Sequence, residues 1–193
     1  MENLEPGYYY HIYNRGNNRE KLFYEEWNYS YFMELYEKYI HPIAETYAYC
    51  LMGNHFHFLI QTKDLEVLEP NLIDKRPLWR NFADFFNAYA KMINLNYGRT
   101  GSLFQERYRR KKVDSENYLQ QLIHYIHMNP VKHGLTDRCE DYPYSSYLTI
   151  LSGKATNLKI EEVISLFHDK KNFIYFHKNH PDVQMIGKFI IDD

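Results

Sequence analysis

The sequence predicts an α+β fold: a ferredoxin-like antiparallel sheet with helices packed on one face, plus a small C-terminal helical extension. Three observations predict it. Strand-like aromatic runs and helix-periodic segments follow one another as strand, helix, hairpin, helix, strand, helix. Two of the strand-like runs meet at Gly53-Asn54, a turn that lets neighbouring strands pair antiparallel. The chain has 193 residues, enough for one sizeable core and too few for a multidomain enzyme.

Each element has its own signal. Residues 7–15, GYYYHIYNR, are β-favouring aromatics that end at an Asn-Gly-rich turn cluster. Over residues 24–40, Trp27, Tyr31, Leu35 and Tyr39 recur at helical spacing until His41-Pro42 stops the helix. TYAYCLM and HFHFLIQ form the arms of the hairpin, and residues 62–77 read as a connection with a short helix of its own. Residues 78–97 carry Phe82, Phe85, Phe86, Tyr89, Ile93 and Tyr97 as a wide apolar helical stripe. RYRRKKV, residues 107–113, is β-compatible; Asp114 or Ser115 then caps a helix running to about Asn129, before Pro130. Residues 142–151 read as a turn leading to a short helix, and 160–168 as another. The expected organisation is a catalytic-type domain over residues 1–150 and an extension of unassigned role over 151–193.

Composition narrows the class of function. Lys+Arg total 23 against 25 Asp+Glu, a formal charge of -2, so bulk electrostatics do not announce a polyanion partner and any such site must be local. The two cysteines, Cys50 and Cys139, cannot form a disulfide framework or a paired zinc motif. The acidic start lacks a following apolar region, and no run approaches the ~18 apolar residues of a membrane span. A soluble, cytoplasmic protein is expected.

Three features carry possible chemistry. In His55-Phe56-His57, strand alternation sends both imidazoles to one face and Phe56 to the other, so two metal-type ligands converge without loop geometry. An incidental His-x-His in a strand is the alternative. In YLQQLIHYIHMNP, Leu119, Leu122, Ile123 and Ile126 form one helical face, while Tyr125 and Asn129 lie one turn apart on its shoulder. They suit a nucleophile and a third metal ligand; the plainer alternative, which the pattern alone favours, is a half-buried Tyr and an Asn that ends the helix. Tyr118 lies on nearly the same line and competes with Tyr125 as nucleophile. Finally, five of residues 107–112 are basic. Alternation puts Arg107, Arg109 and Lys111 on one face and Arg110 and Lys112 on the other, as a phosphate-tracking stripe or a charge-protected edge strand. Arg15, Arg19 and Lys21 could add to the same field.

Together, YHIYNRGNNREKLF, YAYCLMGNHFHFLI, NLNYGRTGSLFQERYRR and YLQQLIHYIHMNPVKHGL resemble the single-tyrosine transposases of the HUH endonuclease superfamily, and most the REP-associated tyrosine transposases. The resemblance covers residues 7–150. It implies His55 and His57 as metal ligands, Tyr125 rather than Tyr118 as nucleophile, and Asn129 as third ligand to a divalent cation, Mg or Mn. It also implies cleavage of single-stranded or hairpin DNA through a 5′-phosphotyrosine, and rejoining by a 3′-hydroxyl, without a nucleotide cofactor. Such proteins place the tyrosine helix against their own sheet or a partner's, so a homodimer is compatible with the resemblance. Two other classes fit the same residues: a domesticated, non-catalytic DNA-binding protein, and a metal phosphodiesterase that uses water in place of tyrosine.

Overall fold

A computed structural model describes residues 3–64, 66–68 and 76–179. The short helix expected within residues 62–77 falls largely on positions outside the described residues. Four strands, β1 (Tyr9–Arg15), β2 (Ala44–Met52), β3 (His55–Thr62) and β4 (Arg109–Val113), form one sheet in the order β2-β3-β1-β4, every neighbour antiparallel. This is the ferredoxin-like arrangement that the element order predicts. Six helices accompany it among the described residues: α1 (Glu26–Tyr39), α2 (Trp79–Asn96), α3 (Glu116–Lys132), α4 (Tyr147–Ser152), α5 (Ile160–Leu166) and α6 (Lys170–Asn179).

Strand alternation divides the sheet into two chemically different faces. Tyr10 and Ile12 of β1 and Phe56, Phe58 and Ile60 of β3 enter one core with α1 and α2. Tyr97 caps the end of α2 and is only partly buried; for Phe82, Phe85, Phe86, Tyr89 and Ile93, all buried, the stripe of α2 is as expected. The stripe of α1 is not: Phe32, Leu35 and Tyr36 are buried, whereas Trp27 is 42% exposed. Phe32 packs on Phe85, ring centroids 4.7 Å apart, and Tyr36 stacks on Phe58 at 4.3 Å. Sheet and α2 aromatics thus select a helix face about one residue away from the one the periodicity suggested.

Helices do not keep to one face. Leu119, Leu122, Ile123 and Ile126 of α3 pack on the opposite side of the sheet, against Ala48, Cys50 and Met52 of β2, Leu59 of β3 and Val113 of β4. The reason is that residues of both parities along these strands are apolar or aromatic, so neither face can be left to water. Ser115 caps α3 by accepting from the Tyr118 N–H at 3.4 Å. The helix continues past the expected stop to Lys132 with Pro130 inside it. Proline there forfeits only the bond its own N–H would make to the Ile126 carbonyl, in a last turn that closes through His133 N–H to Asn129 O at 3.0 Å.

Residues beyond 150 share this second core, to which α5 contributes Val163 and α6 Phe173, with Phe167 between them. Packing is continuous across the boundary expected at residue 150. The Lys159 N–H donates to the Thr46 carbonyl at 2.9 Å, and the Ser146 N–H to the Tyr49 carbonyl at 3.0 Å, so chain from 144 to 159 lines the outer edge of β2.

Candidate active site on the histidine face

His55 and His57 lie on β3 and point to the α3 side of the sheet, with Phe56 in the opposite core, as strand alternation requires. Both are buried, with ring centroids 5.5 Å apart. With metal–nitrogen bonds of ~2.0–2.1 Å, two imidazoles on one cation have centroids up to about 6 Å apart. The His55 Nδ1 lies 2.6 Å from Asn54 Oδ1. An amide oxygen only accepts, so Nδ1 carries the proton and the Nε2 lone pair is left for a ligand. Burial, and then the neighbouring His11, His55, His133 and Arg15, hold the His57 imidazole well below its usual pKa, which keeps it neutral.

Helix α3 crosses above this pair. Tyr125 stands edge-on to His57 at 5.5 Å between centroids, and His133, the residue capping the helix, stands edge-on to His55 at 4.9 Å. Asn129 lies one turn from each, between them along the helix. Its Nδ2 donates to the Tyr125 carbonyl at 2.9 Å, and its fully buried Oδ1 has no hydrogen-bond partner among the described residues. A buried carbonyl oxygen left unsatisfied is costly unless something electropositive completes it. Two imidazoles and an amide oxygen form a mixed N/O donor set that fits a divalent cation. No group of three or more His, Cys, Asp or Glu side chains able to hold a metal occurs among the described residues, so Asn129 is needed to make the set three.

The basic residues divide between the two faces. Arg15 ends β1 directly opposite His55; Arg109 pairs across from Tyr13 and Lys111 across from His11, all on the histidine face. Arg110 and Lys112 point the other way. Arg110 Nη1 donates to the Tyr108 hydroxyl at 2.8 Å, and Lys112 Nζ bonds Glu5 Oε2 at 3.0 Å while lying 3.1 Å from the centre of the Tyr8 ring. Arg107 precedes β4 and, with Arg110, lines a separate cleft of about 730 Å³ beside Trp79, Phe86 and Tyr108. Arg19 is exposed in the loop after β1, its carbonyl accepting from Asn54 Nδ2 at 3.4 Å.

Sequence reasoning missed three neighbours. His11 on β1 is 2% exposed, and its Nε2 lies 2.9 Å from His57 Nδ1. Lys132 Nζ sits 5.6 Å from the centre of the Tyr125 ring. His133 has been placed above. The signal for His11 was present: once β1 pairs antiparallel with β3, alternation puts it on the same face as His57. The signal for Lys132 was hidden by the expectation that the helix ends before Pro130.

The ferredoxin-like sheet thus presents a His-Phe-His triplet to a helix-borne tyrosine. No family model matches the chain. The chain is similar to a Haemophilus influenzae protein named "Putative REP-associated tyrosine transposase", 29% identical over 109 residues that cover 55% of this chain. It spans 61% of the length of that relative. Its fold is similar to a solved structure described as the REP-associated tyrosine transposase bound to a REP hairpin, with a TM-score of 0.56, 17% identity and coverage of 79% of this chain and 84% of the other. The resemblance read from the motifs is therefore met in both sequence and fold.

Proposed function

We propose that this protein cleaves and rejoins single-stranded or hairpin DNA, with Tyr125 as nucleophile and His55, His57 and Asn129 as holders of a divalent cation, Mg or Mn. The observation that carries the reading is the stacking of α3 over β3: Tyr125 over His57, His133 over His55, and the unsatisfied Asn129 oxygen between them. The likeness to a transposase whose structure holds a REP hairpin supports DNA as the substrate class.

A free phenol has a pKa of about 10, so Tyr125 needs help to act near neutrality. Its hydroxyl oxygen attacks the scissile phosphorus and gives up its proton; the bond from phosphorus to the 3′-oxygen breaks, and that oxygen leaves as a hydroxyl after taking a proton. The result is a 5′-phosphotyrosine and a free 3′-hydroxyl. Attack by another 3′-hydroxyl reverses the step, so the diester bond energy is retained. Arg15, Arg109, Lys111 and Lys132 supply positive charge on the same face to seat the phosphate backbone. A cation bound by the two imidazoles and the amide would polarise the scissile phosphate and offset charge in the transition state.

Incubation with a 3′-labelled single-stranded oligonucleotide and Mn²⁺ tests this, because the 5′-phosphotyrosine retains the 3′ side of the cleaved strand. A covalent adduct mapping to Tyr125, lost in Tyr125→Phe with DNA affinity within about twofold of wild type, is the expected outcome. An adduct that survives Tyr125→Phe would sink the assignment. Binding without cleavage by the intact chain would favour the domesticated DNA-binding class, and metal-dependent cleavage with no adduct the hydrolytic one.

A further inference from the structure

We propose that His11 is a positioning residue for His57, holding the His57 ring in the form whose Nε2 lone pair faces the cation. The inference rests on the metal reading above and deepens it. His11 occupies an interior position on β1, between Tyr10 and Ile12, where an aliphatic side chain would pack at no polar cost; it is instead a buried imidazole. Its Nε2 lies 2.9 Å from His57 Nδ1, while its own Nδ1 has no hydrogen-bond partner among the described residues. The imidazole of His11 thus has its one hydrogen bond among the described residues to His57.

That bond has two possible directions. If His11 Nε2 donates, His57 Nδ1 accepts, the His57 proton sits on Nε2, and that nitrogen cannot ligate. If His57 Nδ1 donates to a bare His11 Nε2, the His57 Nε2 lone pair is released. Only the second is compatible with His57 as a ligand, and a ligating histidine ordinarily gives its other N–H to such an acceptor. The ring planes of His11 and His57 are 24° apart with centroids at 5.1 Å, and His11 also lies tilted on Tyr13 at 4.5 Å. Packing therefore leaves the acceptor little freedom to turn away. His55 has the parallel device in Asn54, whose Oδ1 bonds the His55 Nδ1.

Mn²⁺ affinity measured by electron paramagnetic resonance on the full chain tests the proposal. His11→Phe keeps a buried ring and removes the acceptor; about 10- to 100-fold weaker Mn²⁺ binding is expected. His11→Gln, whose amide oxygen reaches the same point, should recover most of that loss. Affinity unchanged in His11→Phe but abolished in His57→Ala would overturn the proposal while leaving the metal reading intact. No Mn²⁺ binding by the wild-type protein would overturn both. Should His11→Phe fail to fold, ¹⁵N spectra of the wild-type imidazoles under Mg²⁺ titration decide: a His57 proton on Nδ1 at saturation supports the role, and one retained on Nε2 overturns it.

Discussion

Six imidazoles are buried among the described residues, and in four of them burial disfavours the charged form at a cost that a hydrophobic residue would not incur. Burial, with Lys111 adding to it, holds His11 at a pKa of about 3, and burial holds His177 at about 3; His57 and His127 are lowered for the same leading reason. In the unfolded chain these groups return to about 6.5. Folded protein therefore binds fewer protons than unfolded protein below that value. Stability is fully present above pH 6.5 and is lost as pH falls toward 3, by about 1.4 kcal/mol per pH unit for each imidazole in its window. Urea unfolding between pH 7.5 and 4.5 should show this slope, and His177→Gln should make it shallower. A slope unchanged in that variant would mean that His177 does not remain neutral in the folded state. The residue-level reading from sequence singled out the two β3 histidines, and Tyr125 with Asn129 beside the competing Tyr118, because each belongs to a local pattern. It did not find His11 or His177, since their partners lie 46 and 50 residues away in the chain.

Among the elements, α3 is held on two sides. Its leucine face lies on the sheet, and its His124 and His127 face α6, where His127 Nδ1 and His177 Nε2 are 2.9 Å apart and His127 Nε2 is 2.7 Å from Ser146 Oγ. Phe173 fills the space beneath, with its ring 4.2 Å from His177 and 5.6 Å from Tyr147. Phe173→Ala should cost about 3–5 kcal/mol of unfolding free energy. Because α6 grips the helix that bears Tyr125, the same change should weaken amide-exchange protection along residues 116–132. A stability loss confined to α6, with α3 protection unaltered, would show that the two helices are not coupled. Helical period predicted the apolar face of α3 correctly because Leu119, Leu122, Ile123 and Ile126 are aliphatic and have no way to end in water without cost. For α1 the period misled, since Trp27 and Tyr31 are amphipathic rings that can end in water as readily as in a core.

For the whole molecule, the strand order was legible from the element sequence, and the second layer was not. A ferredoxin-like sheet needs two helices on one face, and the pattern supplied them; the layer on the other face rests on packing between distant segments, as of Tyr147, Val163 and Phe173 with α3. Among the described residues, no helix is long and apolar enough to cross a membrane.

The lining of β2 by residues 144–159 bears on how copies of the chain could meet. A sheet in the order β2-β3-β1-β4 has two borders, and the chain itself closes one of them. Strand-to-strand docking is left to β4, whose sequence Arg-Arg-Lys-Lys-Val would have to lie against its own copy, cation facing cation. Without a polyanion to neutralise it, sheet extension across β4 is unfavourable, and sedimentation at ordinary salt should show a monomer. A dimer there that survives β4 charge reversal would have to use another surface. The border that repels a second copy is the one best suited to accept a phosphate backbone, so solubility and substrate capture would be served by the same four cations, Arg109 to Lys112.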